Sequence, residues 1–124
     1  MTDASSRSTR ADVGQAAESR AAAYLAAQGL AIVTRNFRTR RGEIDLIARD
    51  GAVLVFVEVR RRRSSAYGGA AASITEAKRA RIVAAAAAYL ATLAQEPACR
   101  FDVVLIDGDD PRRVDWRQDV IAVE

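Results

Sequence analysis

Glu43, Asp45 and Glu58 stand where acidic residues are unusual. They lie in two apolar runs, Gly42 to Arg49 and Val53 to Arg60, on either side of Asp50-Gly51. Both runs are rich in β-branched and aliphatic residues and read as strands. Acids are depleted in strands and costly to bury unless paired or bound to a metal. Two carboxylates aimed at one point can hold a hard divalent cation through oxygen. The sequence contains no histidine, which removes histidine bases, histidine-containing triads and histidine-ligated zinc together. Hydrolytic chemistry in this chain must run on carboxylates, a basic side chain and a hard metal.

The two runs are expected to pair as a hairpin. Asp50-Gly51 suits a two-residue turn with positive φ at both positions. On that loop Arg49 faces Ala52, Asp45 lies opposite Phe56, and Glu43 lies opposite Glu58. Strand alternation then places Glu43, Asp45 and Ile47 on one face with Leu54, Phe56, Glu58 and Arg60. Asp45 and Glu58 become diagonal neighbours, roughly 7–8 Å apart at the backbone. A slip of one residue would send them to opposite faces. The competing use of these acids is ion pairing with nearby arginines, which leaves three acids inside apolar strands unexplained.

Other elements must position this hairpin. Residues 1–11 form a polar Ser, Thr and Arg string and read as a disordered tail, leaving residues 12–124 as a single domain. Asp12 with Gln15 fits a capping box for a helix from Val13 to Gln28, closed by Gly29. Glu18 sits at the edge of its apolar stripe, where a carboxylate facing the site is one outcome and an exposed acid the other. Leu30 to Phe37 reads as the first strand, and Val53–Arg60, apolar on both faces, as a central one. The loop Ser64 to Gly69 is too short for a nucleotide-binding P-loop and lacks its lysine. Ser73 and Glu76 fit a capping box for a helix from about Ile74 to Gln95, with Lys78 one turn before Ile82 on the apolar stripe. Pro97 ends it. Arg100–Asp107 and the less regular Val114–Val123 read as further strands, and Asp102 as a strand-face or edge residue without a site role. The expected order is αβββαβ with one more strand possible at the end. This is an α/β fold: a mixed sheet with helices on both sides, and a crossover helix that makes the following strand parallel to a neighbour.

Composition bounds the partners. The length of 124 residues gives one core. No apolar run reaches the roughly eighteen residues of a membrane span, and the N-terminus carries no signal-peptide pattern. Cys99 is the only cysteine, which fits a reducing cytosol, so a cytoplasmic location away from membranes is expected. Of nineteen basic residues, all but Lys78 are arginine. Arg38, Arg40 and Arg41 precede the second strand, and Arg60, Arg61, Arg62 and Arg63 end the third. A compositional preference for arginine would account for their number. Their position at the ends of the acid-bearing strands favours a polyanion, because guanidinium groups grip phosphate oxygens in pairs.

An acid on a helix, an acid on one strand and acid-x-base on the next form a constellation that resembles the PD-(D/E)XK nuclease superfamily. More closely, the chain is similar to the bacterial YraN family, whose members resemble archaeal Holliday junction resolvases. The residues that carry the resemblance are Gly14, Glu18 and Tyr24-Leu25; Asn36; Gly42-Glu43-Ile44-Asp45-Leu46-Ile47; Val55-Phe56-Val57-Glu58-Val59-Arg60; Tyr67-Gly68-Gly69; Lys78; and Arg100 to Val104. The resemblance implies a restriction-endonuclease-like fold and a Mg²⁺- or Mn²⁺-dependent nuclease acting on DNA in preference to RNA, with branched or single-stranded DNA as its substrate. It implies Asp45 and Glu58 as metal ligands, Glu18 as a third catalytic acid and Arg60 as the basic member. Arg38, Arg40, Arg41, Arg61, Arg62, Arg63 and Lys78 would contact nucleic acid, and a homodimer would follow from the junction-resolving relatives. One position departs from the pattern: Arg60 stands where lysine is usual. Arginine stays charged and accepts no proton, but it can stabilise an anionic transition state. Three outcomes remain open: electrostatic action by Arg60, an amine supplied by Lys78, or a nucleic-acid-binding protein without cleavage.

Overall fold

The computed structural model describes residues 10–62, 75–108, 110 and 112–121. Residues 1–9 of the expected tail, the side chains of Arg62 and Arg63, the Tyr67-Gly68-Gly69 loop and the Ser73 cap lie outside the described residues. Helix α1 runs from Arg10 to Ala27, so it begins before the expected cap at Asp12 and crosses the expected boundary between tail and domain. Strands β1 (Ala31–Arg38), β2 (Glu43–Asp50) and β3 (Val53–Arg62) follow, then α2 (Glu76–Leu90), β4 (Cys99–Asp107) and β5 (Val114–Arg117). The five strands form one sheet in sequence order. All neighbours are antiparallel except β3 and β4, which are parallel across the α2 crossover. This is the α/β, restriction-endonuclease-like arrangement expected from the sequence, with β3 central.

Local signals explain the boundaries. Gly29, at φ 101°, ends α1. Its N–H reaches the Ala26 carbonyl at 3.0 Å, and the Leu30 N–H reaches that of Leu25 at 3.1 Å. That pair of bonds is a Schellman closure, and Leu25 and Leu30 meet in the core as the motif favours. Helix α2 starts at a Thr75 cap, whose hydroxyl accepts from the Lys78 N–H at 3.1 Å, and it stops at Leu90. It is therefore shorter at its C-terminal end than the apolar stripe implies.

The sheet buries both faces. Against α1 pack Leu46, Ala48, Val55, Val57, Val104 and Ile106, with Ala17, Ala21 and Leu25 supplied by the helix. Against α2 pack Ile44, Ile47, Leu54, Phe56 and Phe101, with Ile82, Ala85 and Ala86 from the helix. Phe56 stacks on Phe101 at 5.2 Å, and Tyr89 of α2 meets Phe56 edge-on at 6.2 Å. Large side chains buried in this way each contribute about 1.5–3 kcal/mol.

The hairpin register differs from the expected one by two residues. Asp50 pairs with Val53 and Leu46 with Val57, so the loop is Gly51-Ala52. Gly51 has φ 62° and Ala52 is not among the residues of positive φ. A glycine-first turn needs only that one left-handed residue, which leaves Asp50 free to close the ladder. A shift of two residues preserves the faces. Continued by one step, it sets Asp45 directly against Glu58 instead of diagonally.

Strand alternation fails at two places on β1: a bulge between Ile32 and Thr34 shifts the register by one residue, and a second break is shared with β2 on one rung. Ile32 and Arg35 belong to the α1 side, where Arg35 Nη2 donates to Ser19 Oγ at 2.9 Å, but Phe37 lies in the α2 core. On β2, Leu46 and Ala48 face α1, whereas Ile44 lies in the α2 core. Residues two apart on a strand normally share a face. Both strands therefore change phase at the same step, between Arg35 and Phe37 and between Leu46 and Ile44. The residues at that step are Asn36 and Asp45.

Candidate functional site

Asp45 occupies a fork. The β2–β3 ladder ends at Leu46 and Val57, while β3 continues to Arg62 beside β4. Beyond that point the Val59 N–H donates to Asp45 Oδ2 at 2.8 Å. A carboxylate thus replaces a strand carbonyl as the partner of a buried backbone donor. Glu58 is 7% exposed on the neighbouring strand. Its Oε2 receives Lys78 Nζ at 2.7 Å. Lys78 is in the first turn of α2, where a cation opposes the helix dipole. The Glu58 carboxylate offsets that placement.

The electrostatics are those of a crowded acid pair. The Asp45 carboxyl is pushed up from 3.8 to about 8, first by burial and then by the charge of Glu58. Glu18 on α1 adds to the rise, as does a hydrogen bond with Glu58, whereas the Val59 N–H opposes it. Near neutral pH the Asp45 carboxyl therefore keeps its proton, against the facing Glu58 side chain. Glu18 Oε1 is buried and has no hydrogen-bond partner.

A cleft of about 430 Å³ opens over the pair. Asp45, Glu58, Lys78 and Ile82 line its inner part, and Arg38, Arg40, Arg41, Glu43 and Arg81 its rim. The rim loop is locally specified. Thr39 Oγ1 accepts from the N–H groups of Arg41 and Gly42 at 3.1 Å each, and the Thr39 N–H reaches the Gly42 carbonyl at 2.8 Å. Gly42 presses on α2 so closely that a Cβ there would collide with the Arg81 carbonyl. Only glycine allows that approach. Glu43 opens β2 and pairs with Arg38 at 3.5 Å.

The structure brings Asp45, Glu58 and Lys78 together, with Glu18 close enough to act on Asp45 from the α1 side. Arg38, Arg40 and Arg41 are on the rim as a group. Arg60 is half-buried two residues along β3 and does not line the cleft, and Arg61 is exposed. Arg81 was missed in the sequence, although it lies one helical turn from Lys78 on α2. Asp102 is not an edge residue: it is 1% exposed. It accepts from Arg100 Nε at 3.1 Å, Trp116 Nε1 at 2.9 Å and the Asp119 N–H at 2.9 Å. It joins β4 to β5 and the chain that follows, away from the cleft.

The donor set suits a hard cation. Among the described residues no three acids converge closely enough to form a ready cage. Mg²⁺, however, commonly takes only one or two carboxylates from a protein and fills the rest of its octahedron with water and phosphate oxygens. Asp45 and Glu58 meet that requirement, and the unpartnered Glu18 oxygen leaves one more acceptor nearby. The residues fit the group.

The fold and cleft define an α/β protein with a facing carboxylate pair beside a lysine, under an arginine-rich rim. Residues 17–106 match the model of the uncharacterised protein family UPF0102. Similar chains include a UPF0102 protein of Nitrosospira multiformis, 49% identical over 110 residues, which cover 89% of this chain and 92% of the relative. One from Ralstonia pickettii is 51% identical over 119 residues, covering 92% and 93%. Another, from Cupriavidus necator, is 58% identical over 107 residues, covering 85% and 79%. The chain belongs to the UPF0102 family, which agrees with the uncharacterised bacterial family expected from its motifs.

Proposed function

We propose that this protein is a divalent-metal-dependent nuclease that hydrolyses phosphodiester bonds in DNA, with branched or single-stranded DNA as its substrate. One observation carries the reading: two facing carboxyls in the strand fork, with a lysine amine 2.7 Å from one of them, beneath an arginine rim. Asp45 and Glu58 would hold Mg²⁺ or Mn²⁺, with Glu18 as the third acid. When bound, the metal supplies a Lewis acid that lowers the pKa of a water and neutralises charge on the phosphate. Arg38, Arg40, Arg41 and Arg81 bind the flanking phosphates and hold the strand across the cleft. Lys78 serves as the cation at the scissile phosphate in place of Arg60, because its amine lies in the cleft and Arg60 does not line it. The protein is read as cytoplasmic and as a homodimer on its substrate. Among the described residues no helix is long and apolar enough to cross a membrane.

A non-catalytic nucleic-acid-binding protein is the second reading. It is favoured by one feature: Lys78 balances Glu58 and a retained proton balances Asp45, so the pair needs no metal to be neutral. Purified wild type and Asp45→Ala, incubated with Mg²⁺ or Mn²⁺ and linear, single-stranded or four-way DNA, separate the two. Cleavage by wild type alone supports the nuclease. Salt-sensitive binding by both proteins without cleavage supports the binder.

A further inference from the structure

Asn36 stands in the middle of a strand with φ 54°. A left-handed residue within a strand is uncommon, and the backbone strain it carries tends to be kept where it serves a site. Asn36 makes no ladder pair, although its neighbours keep register: Arg35 with Leu46 and Phe37 with Ile44. That register places Asn36 opposite Asp45. This is the rung at which both strands change phase, turning Phe37 and Ile44 together into the α2 core. At that rung the Asp45 carboxylate lies along the β2–β3 seam, where its Oδ2 accepts the Val59 N–H at 2.8 Å.

We infer that Asn36 is a positioning residue for Asp45. Its left-handed backbone forces the rung to switch phase, and that switch aims the carboxylate into the fork. The consequence for metal binding rests on the proposed function, but the consequence for Asp45 does not. Asparagine and glycine tolerate this backbone, alanine tolerates it at a cost, and a β-branched residue is a clear outlier in it.

The test compares wild type, Asn36→Gly, Asn36→Ala and Asn36→Val by two measurements. Amide hydrogen exchange reads the protection of the Val59 N–H relative to core amides of β4 in the same protein, which removes the effect of global stability. Calorimetry with Mn²⁺ alone reads the affinity of the site. Asn36→Gly is expected to match wild type in both. In Asn36→Val the relative protection of Val59 is expected to fall about tenfold or more. Its Mn²⁺ affinity is expected to fall about 10- to 100-fold, the usual loss when a group orienting a metal ligand is removed. If Asn36→Val does not fold, Asn36→Ala carries the comparison with a smaller loss in the same direction. Trp116→Phe, which removes a hydrogen bond at the far edge, is expected to lower stability and leave both readouts unchanged. Unchanged Val59 protection in a folded Val or Ala variant overturns the inference. Absence of Mn²⁺ binding by wild type counts against the metal site alone, and the Val59 measurement still decides the role of Asn36.

Discussion

Asp45→Asn is expected to stabilise the folded protein at neutral pH, by an amount that follows from how the carboxyl is held. In the unfolded chain Asp45 ionises near its ordinary value of 3.8, and in the fold at about 8. The folded state therefore favours the protonated form. Below pH 4 both states carry the proton and no penalty exists. As pH rises from about 4 to about 8 the unfolded state has already lost its proton, and stability falls. Above 8 both states are ionised and the full penalty remains. Each pH unit travelled between those two values costs about 1.4 kcal/mol, so the penalty at pH 7 approaches about 4 kcal/mol as a ceiling. Water reaching the partly buried carboxyl reduces it, and about 2–4 kcal/mol is the expected range. Asparagine keeps the shape. Its oxygen can accept the Val59 N–H, and its amide can donate to Glu58 without bringing a charge. Urea unfolding of both proteins from pH 4 to pH 9 measures the effect. The variant is expected to gain about 2–4 kcal/mol at pH 7–8, or on the order of 10 °C in Tm, and almost nothing near pH 4. A variant no more stable than wild type at pH 7, or a gain independent of pH, refutes the reasoning. A stabilising change that removes a reactive group is the usual trade between stability and activity.

Four further outcomes follow from the same geometry. Lys78→Gln is expected to reduce metal-dependent cleavage by about 10²–10³, the range for losing one donor that stabilises developing charge. Arg60→Gln should cost less than about tenfold, because Arg60 lies outside the cleft; single-turnover cleavage compares them. Gly42→Ala is expected to destabilise by about 1–3 kcal/mol through overpacking against the Arg81 carbonyl, read by denaturant melts. Asp102→Ala should cost about 1–3 kcal/mol, since Arg100 keeps Asp50 but the Trp116 and Asp119 N–H groups lose their acceptor, and it should leave Mn²⁺ affinity unchanged in the folded fraction.

Much of this was legible in the sequence, and the failures have physical causes. Element order, the central β3 and the parallel β3–β4 pair follow from apolar runs and one crossover helix. The turn was misplaced because Asp50-Gly51 and Gly51-Ala52 both contain the residue that tolerates positive φ. Asp45 and Glu58 stayed together because the error was an even number of residues. The phase change at Asn36 and Asp45 was not legible: Ile44 and Leu46 are both apolar and both buried, so nothing in their types marks a change of face. Lys78 and Arg60 could not be ranked by spacing, since the choice depends on α2 packing its first turn over Glu58. Asp102 takes the strand-face alternative and stays outside the cleft, but its burial was not legible because the groups that satisfy it, the Trp116 side chain and the Asp119 backbone, come from chain seventeen or fewer residues away that folds back beside it.

The central claim is that Asp45 and Glu58 form a divalent-cation site. Calorimetric titration of Mn²⁺ into wild type and Asp45→Asn at pH 7, in two buffers of different ionisation enthalpy, tests it most directly. Wild type is predicted to bind with release of about one proton, the one Asp45 holds when folded, and Asp45→Asn to lose both the binding and the release. Equal Mn²⁺ binding by the two proteins, or none by wild type, would contradict the claim.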